Sequence, residues 1–313
     1  MRVVFMGTPD FAVPTLRVLN ENYDLVSVVT QPDRKKGRGQ KKLFSPVKTF
    51  ANEHELPILQ PNTVKSKDFI AKVESLSPDV IVVVAYGQII PKQILELPPL
   101  GCINVHGSLL PAYRGAAPIH WALLKGEKTT GVTTMLMDEG MDTGDILIKR
   151  TVTISDQDNV ATLHERLSKV GATTLIETLD KLKSQEIVPQ PQNSKLATYA
   201  PKLTKDLCKI NWSEDNIKVF NRIRGLNPWP GAYTYFRGAR VKVFESEISN
   251  KDYKKTCGEV ISVDHKGLLV QSKNSSIYLK VLQPENKKKM DAISFVNGYN
   301  IKEGENFEEK RRG

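Results

Sequence analysis

Little in the 313-residue sequence points to cross-linking or to a membrane. Its three cysteines, Cys102, Cys208 and Cys257, are odd in number, far apart and without a CxxC pair, which argues against a disulfide framework and a zinc site. A reducing compartment fits. No run approaches the ~20 apolar residues needed to span a bilayer, and MRVVFMGTPD at the start reads as a first strand, too short for a signal-peptide core and without a cleavage pattern. A cytoplasmic protein is the expectation. The turn GTPDFA at 7–12 lacks the second and third glycines of G-x-G-x-x-G that let a backbone approach a pyrophosphate, so NAD is not expected.

Positive charge is plentiful. Lys and Arg number 45 against 35 Asp and Glu, a net charge of +10, which commonly marks a polyanionic partner. From Asp206 onward 20 basic residues face 14 acidic ones, so about a third of the chain holds +6 of the excess. The length suits two domains at ~100–200 residues each. A composition of 40% hydrophobic and 26% charged residues is that of an ordinary globular chain.

Strands and helices alternate through the first 184 residues. Arg2–Met6, Leu25–Thr30, Asp79–Ala85, Gly131–Met137 and Asp145–Arg150 read as strands, and DVIVVVA at 79–85, apolar on both faces, reads as a central parallel strand. Helices are expected from about Phe11, up to Leu76, over Pro91–Leu97 and Ala116–Lys125, and over Asn159–Ser184 with its stripe of Leu163, Leu167, Leu175 and Leu179. This alternation predicts a doubly wound α/β sheet. The polar, proline-bearing segment 189–205 reads as a linker. A helix at Glu214–Arg224 and several short strands near 232–236, 240–244, 258–263, 267–271 and 277–282 follow, as in a small barrel.

The stretch GCINVHGSLLPAYRGAAP at 101–118 organises the rest. Cys102–Val105 reads as the end of a buried strand, and the Gly, Ser and Pro residues after His106 force a turn. Asn104 and His106, two residues apart, share one strand face and would point into the crevice beyond the sheet's carboxyl edge. Taken alone, a histidine so placed reads sooner as a cap on a backbone group, and it is the surrounding pattern that favours chemistry. His54, His164 and His265 lie among charged or turn residues and read as solvated, and His120 falls inside a helix. In MDEGMDTGDIL at 137–147, Asp138 and Glu139 read as a solvated turn, and Asp145 rivals Asp142 as a partner for His106.

NVHGSLLPAYRGAAPI, together with MDTGDIL, closely resembles the signature of the folate-dependent formyltransferases, over nearly the whole chain. The resemblance implies a Rossmann-like formyltransferase domain at 1–188 and an OB-like, tRNA-binding domain at 206–313. It implies 10-formyltetrahydrofolate as formyl donor and initiator methionyl-tRNA as acceptor; formyl transfer to an amine needs oxyanion donors and a proton carrier but no metal, and a monomer is the expectation. The catalytic set it implies is Asn104, His106 and Asp142: the amine attacks the formyl carbon, Asn104 and a protonated His106 hold the oxyanion, and Asp142 supports His106. Folate contacts are implied at Ser108, Leu109, Leu110 and Pro111, at Tyr86, Gln88, Ile89 and Ile90, and at Asp138.

The run DRKKGRGQKKL at 33–43 holds six basic residues in the nine from Arg34 to Lys42, namely Arg34, Lys35, Lys36, Arg38, Lys41 and Lys42. A charge run is often a solvated loop, but this one follows the second strand and leaves the same carboxyl edge as His106, which suits contact with a tRNA acceptor arm. In NRIRGLNPWPGAY at 221–233, Arg222 and Arg224 would face tRNA or solvent, and Trp229, between two prolines, would pack at a domain junction. Two rivals are a formyltransferase or hydrolase handling a small substrate, which would not require the basic segments, and a non-catalytic RNA-binding protein, which would not need Asn104, His106 and Asp142 together.

Overall fold

The computed structural model describes residues 1–36, 41–249 and 251–308, with 34–36, 41 and 42 described by backbone alone. In chain order the first elements are β1 (Arg2–Gly7), α1 (Val13–Asn22), β2 (Asp24–Val29), the hairpin strands β3 (Arg34–Lys36) and β4 (Lys41–Leu43), α2 (Pro46–Glu53), β5 (Ile58–Leu59), α3 (Lys67–Ser75) and β6 (Val80–Val84). They continue with α4 (Lys92–Leu95), β7 (Cys102–His106), α5 (Pro118–Lys125), β8 (Thr129–Leu136), β9 (Ile146–Thr153) and α6 (Val160–Lys183). β6 is buried at all five positions, as a strand covered on both faces must be.

Seven strands form one sheet in the order β5-β2-β1-β6-β7-β8-β9. β1 runs parallel to β2 and β6, β2 to β5, and β6 to β7. The chain thus works outward in opposite directions from β1 and β6, and such a reversal leaves a crevice at the strands' carboxyl ends. At the far edge the winding changes: β8 is antiparallel to β7, because the chain leaves β7 at its carboxyl end and re-enters the sheet from that end. One sheet face packs Val4, Met6, Phe69, Ile81 and Ile94 into an apolar cluster. In α6, Leu163, Leu167, Leu175 and Leu179 are buried. Gly171 brings α6 close to β7, since a Cβ there would stand 2.9 Å from Val105 Cγ1.

The chain groups into two units, the first made of Met1–Pro118, Thr130–Thr153 and His164–Ala200, the second of Ile119–Thr129, Ile154–Leu163 and the chain from Pro201 on. The expected linker at 189–205 is therefore largely not a linker. Gln190 and Ile146 exchange both backbone hydrogen bonds, at 2.8 and 2.9 Å, and Ala200 N donates to Arg114 O at 2.8 Å. Prolines keep this segment out of helix, yet the peptide groups between them still require partners.

The second unit adds α7 (Asn216–Gly225), β10 (Ala232–Phe236), β11 (Ala239–Ser249), β12 (Val260–Asp264), β13 (Gly267–Gln271), β14 (Ser276–Pro284), β15 (Met290–Asp291), α8 (Ala292–Tyr299) and β16 (Phe307–Glu308). Its sheet runs β12-β13-β14-β11-β10-β16, with β15 beside β14. The two ends of that order meet. Glu259 bridges Asn306, Val260 N donates to Glu305 O at 2.7 Å and Phe307 N to Gly258 O at 2.9 Å, so the curled sheet closes and protects its edges. Trp212, Val219, Ile223, Phe295 and Phe307 fill the core. Trp229, expected at a junction, is instead 70% exposed: the core is already filled, and the prolines on both sides hold its loop outside. Among the described residues no helix is long and apolar enough to cross a membrane.

Candidate active site

His106 ends β7, and the turn after it is tied down by buried polar groups. Thr133 Oγ1, from the antiparallel neighbour β8, donates to Ser108 O at 2.7 Å and accepts from Leu110 N at 3.1 Å, and Ser108 Oγ donates to Ala112 O at 2.6 Å. These contacts return the chain over the ring, so His106 Nε2 lies 3.0 Å from Tyr113 O. A carbonyl accepts only, so Nε2 carries a proton, and Nδ1 is left facing Asp142 Oδ1 at 3.7 Å. That separation is too long for a hydrogen bond. Asn104 Nδ2 approaches the same oxygen at 3.4 Å, while Asp142 Oδ2 accepts from Gly115 N at 2.7 Å. The ring is 6% exposed.

Two backbone features hold the carboxylate. Asp142 adopts a left-handed φ of 53°, rare for a residue with a side chain but best tolerated by Asp and Asn. Gly115, at φ 118°, passes so near the returning chain that a Cβ would stand 2.9 Å from Ala200 O. Sequence reasoning missed the side chain that braces this loop. Gln192 Nε2 donates to Asp142 O at 2.9 Å and Gly144 O at 2.7 Å, while its Oε1 accepts from Arg114 Nε at 3.1 Å and Nη2 at 2.8 Å. Thr198 Oγ1 accepts from Tyr113 N at 2.9 Å. The only hint in the sequence was a buried-capable Arg and a polar Gln set among prolines.

At the carboxyl ends of β1, β2 and β6 lies a cavity of about 660 Å³, lined by Thr8, Pro9, Gln31, Pro32, Leu43, Phe44, Ser45 and Ala85–Gly87. Its position is that of the crevice where the strand order reverses. The β3–β4 hairpin leads directly into Leu43 and Phe44, and its root is clamped: Lys48 Nζ contacts Asp33 Oδ2 and Gln60 Oε1, both at 2.7 Å. A larger depression of about 710 Å³, lined by Ile70, Ser77, Asp79 and Leu97 among others, sits at the amino end of β6, away from His106. No group of three or more His, Cys, Asp or Glu suited to a metal occurs among the described residues.

The formyl transferase family model matches residues 1–179, and the model of the formyl transferase C-terminal domain matches 202–300. The chain belongs to the formyl transferase family. A methionyl-tRNA formyltransferase from Caldanaerobacter subterraneus subsp. tengcongensis is 47% identical over 306 residues, covering 97% of this chain and 99% of that protein. One from Acetivibrio thermocellus is 45% identical, with coverage of 97% and 99%. Among solved structures, the methionyl-tRNA formyltransferase from Clostridium thermocellum matches with a TM-score of 0.55 at 20% identity, over 80% of this chain and 94% of that one. An N-formyltransferase from Helicobacter canadensis, in complex with folinic acid and dTDP-3-aminofucose, matches at 0.66 and 18% identity, over 90% and 98%. At those identities the likeness is one of fold.

In this formyl transferase the expected folate contacts divide into exposed and inward groups. Ser108 and Leu110 are fully buried, spent on the turn and the core, so their side chains cannot face a ligand; Leu109 and Pro111 are half-buried. Ile90 and the ring of Tyr86 belong to the sheet's apolar cluster, and burial pushes the Tyr86 hydroxyl up to about 12. Gln88 bonds Val64 N and Asn62 O, whereas Ile89 is 72% exposed. Asp138 accepts from Thr143 Oγ1 at 2.6 Å and Gly140 N at 3.0 Å, which shapes the loop leading to Asp142.

The two arginines expected to face tRNA or solvent turn inward. Arg224, 6% exposed, donates to Asn221 Oδ1 at 2.8 Å and Ser155 O at 2.9 Å. Arg222 is bound to Lys209 O and, at 2.8 Å, to Glu214 Oε2. Both lie on α7, whose packing face takes the positions the sequence left open. Of the basic run, Arg34, Lys35 and Lys36 form β3 and Lys41 and Lys42 start β4, while Arg38 lies outside the described residues.

Proposed function

We propose that this chain transfers the formyl group of 10-formyltetrahydrofolate to the α-amine of initiator methionyl-tRNA, in the cytoplasm and as a monomer, with the first unit catalytic and the second binding tRNA. The observation that carries the site reading is the convergence of Asn104 and His106 on Asp142 Oδ1 at a strand's carboxyl end. The acceptor reading rests on the relatives' names at 45–47% identity over 97% of the chain.

The free amine attacks the formyl carbon, a C–N bond forms and the carbonyl oxygen becomes an oxyanion. Asn104 Nδ2 has two hydrogens and spends one on Asp142, so the second can bind that oxyanion. A proton on His106 Nδ1 is not consumed by Asp142 at 3.7 Å and serves as the second donor, while Nε2–H on Tyr113 O keeps the ring from turning. Where comparable donors were removed, each was worth ~2.7–4 kcal/mol of barrier. Asp142 takes the ammonium proton, directly or through water, and passes it toward N10. The N10–formyl bond then breaks, leaving tetrahydrofolate and N-formylmethionyl-tRNA.

The backbone of Tyr86–Ile90 and the Asp138–Asp142 loop bound the pterin. The apolar cavity at Leu43 and Phe44 takes the methionyl end of the acceptor, because the basic hairpin feeds straight into it. Supplying labelled formyl donor with charged methionyl-tRNA or with amino sugars and free amines tests the reading. Formyl on RNA supports it, and formyl only on small amines would overturn it.

A further inference from the structure

Lys48 follows the basic run by six residues, yet its charge is turned inward. Its Nζ donates to both oxygens of Asp33, at 2.9 and 2.7 Å, and to Gln60 Oε1 at 2.7 Å, which uses all the hydrogens of an ammonium group. The Lys48 and Asp33 side chains are only 14% and 17% exposed. The same Nζ stands 4.3 Å from the centre of the Phe44 ring, within cation–π range. Strands β3 and β4 pair Arg34 with Leu43, so Asp33 and Phe44 are the next positions across the base of the hairpin, and one ammonium group grips both legs. The grip is anchored to the sheet. Gln60 Nε2 donates to Asp33 Oδ1 and to Gln31 O, both at 2.9 Å, and Gln31 Nε2 donates to Tyr86 O at 3.3 Å, beyond the carboxyl end of β6. On the other leg Ser45 Oγ accepts from Lys48 N at 3.0 Å and lies 2.8 Å from Thr30 Oγ1.

Gln31, Phe44, Ser45 and Tyr86 also line the cavity of about 660 Å³. Two strands of three residues each are too short to hold a direction of their own. An ion pair withdrawn from water is costly unless further hydrogen bonds complete it, and here Gln60 completes it at the point where the hairpin leaves the sheet. We infer that Lys48, through Asp33 and Gln60, is a positioning residue for the acceptor: it aims the hairpin and holds the Phe44 ring as a wall of the cavity, without touching either substrate. The inference rests on the placing of the methionyl end in that cavity under the proposed function. Counted by charge alone, Lys48 would be one more phosphate contact. With its charge spent on shape, exchanging the acid of the pair has the same sense as exchanging the base.

The test uses the full chain, methionyl-tRNA as acceptor, and the variants Lys48→Met, Asp33→Asn and the two combined. The single variants change the charge in opposite senses and should nevertheless act alike. Lys48→Met should raise KM for methionyl-tRNA about tenfold and Asp33→Asn at least about threefold, each with kcat within about twofold of the wild type. The double variant should show no more than the Lys48→Met effect, because a clamp already open has nothing further to lose. Lys48→Met leaves the Asp33 carboxylate buried without its cation, so thermal melting accompanies the kinetics; should that variant not fold, the double variant, which leaves no charge unpaired, should show the same rise in KM. A lower KM in Asp33→Asn beside a higher one in Lys48→Met would mean that charge acts directly on the RNA and would overturn the inference. Wild-type KM in every variant, a loss confined to kcat, or additive effects in the double variant would overturn it too. A wild type that formylates small amines and not methionyl-tRNA would overturn the acceptor reading instead; KM for that amine, raised or unchanged in the variants, then keeps or overturns the role of the clamp.

Discussion

Asn104 Nδ2 and His106 Nδ1 approach one and the same oxygen, Oδ1 of Asp142, at 3.4 and 3.7 Å, while the carboxylate's other oxygen is fixed by Gly115 N at 2.7 Å. One carboxylate thus faces both side chains, bonding Asn104 while Tyr113 O holds the His106 ring. Its own position is set by chain that arrives from elsewhere.

Replacing either donor should slow the chemistry more than it weakens binding. Asn104→Ala and His106→Ala are each expected to lower single-turnover formyl transfer by ~10²–10³-fold with tRNA affinity little changed. Rapid-quench turnover beside equilibrium tRNA binding measures both, and losses under about tenfold in both variants would remove these residues from the reaction.

Gln192 should behave as a positioning residue. Gln192→Ala leaves the buried Arg114 guanidinium without that acceptor and frees the Asp142 loop, so a stability loss of roughly 1–3 kcal/mol is expected together with a fall in kcat. Gln192→Glu restores the acceptor for Arg114 but cannot donate to Asp142 O and Gly144 O. It should regain part of the melting temperature and little of the kcat, a split that a purely structural role would not produce.

The basic hairpin makes an ionic-strength prediction. Changing Arg38, Lys41 and Lys42 together to Gln should weaken tRNA binding and flatten its dependence on salt by about 0.7–0.9 for each phosphate that is no longer neutralised. Slow hydrolysis of 10-formyltetrahydrofolate, measured in parallel, should be unaffected. An unchanged slope with unchanged formylation would make the hairpin a solvated turn.

Thiol chemistry reports on the packing. Burial pushes the Cys102 thiol up to about 12, and its Sγ lies 3.5 Å from Ile94 O; burial also raises Cys208. Cys257 is partly exposed. Since the thiolate is the reactive form, a disulfide reagent at about pH 8 should titrate Cys257 first in the folded protein, with Cys102 and Cys208 following only on unfolding. Fast modification of Cys102 would contradict the packing of β7 against α4.

Sequence pattern made β7 legible because its cues are local. The apolar run before Ala85 and the break after His106 each state their structure within a few residues. Gln192 was illegible because what it binds lies 48 and 50 residues away, in carbonyls that no side-chain pattern records. Arg222 and Arg224 were misread for a related reason: charge in a sequence says nothing of whether a backbone carbonyl or a glutamate waits for it inside. Helices α2 and α8 escaped because each is only two turns long and opens on a cap, Ser45 or Asp291, rather than on a long apolar stripe. Trp229 failed differently, as its flanking prolines do hold it, but outside the core.

The pairing of 189–200 with the loops around Asp142 changes what counts as the catalytic piece. A fragment ending at Val188 would retain Asn104, His106 and Asp142 in covalent sequence, yet it would lack Gln192, Thr198 and Ala200, the partners of Arg114, Tyr113 and the Asp142 loop. The way out of the first unit is thus part of the candidate site. An insertion or a protease cut within this stretch would act on turnover as directly as a substitution beside the formyl group, although no residue of the conspicuous motifs had been touched.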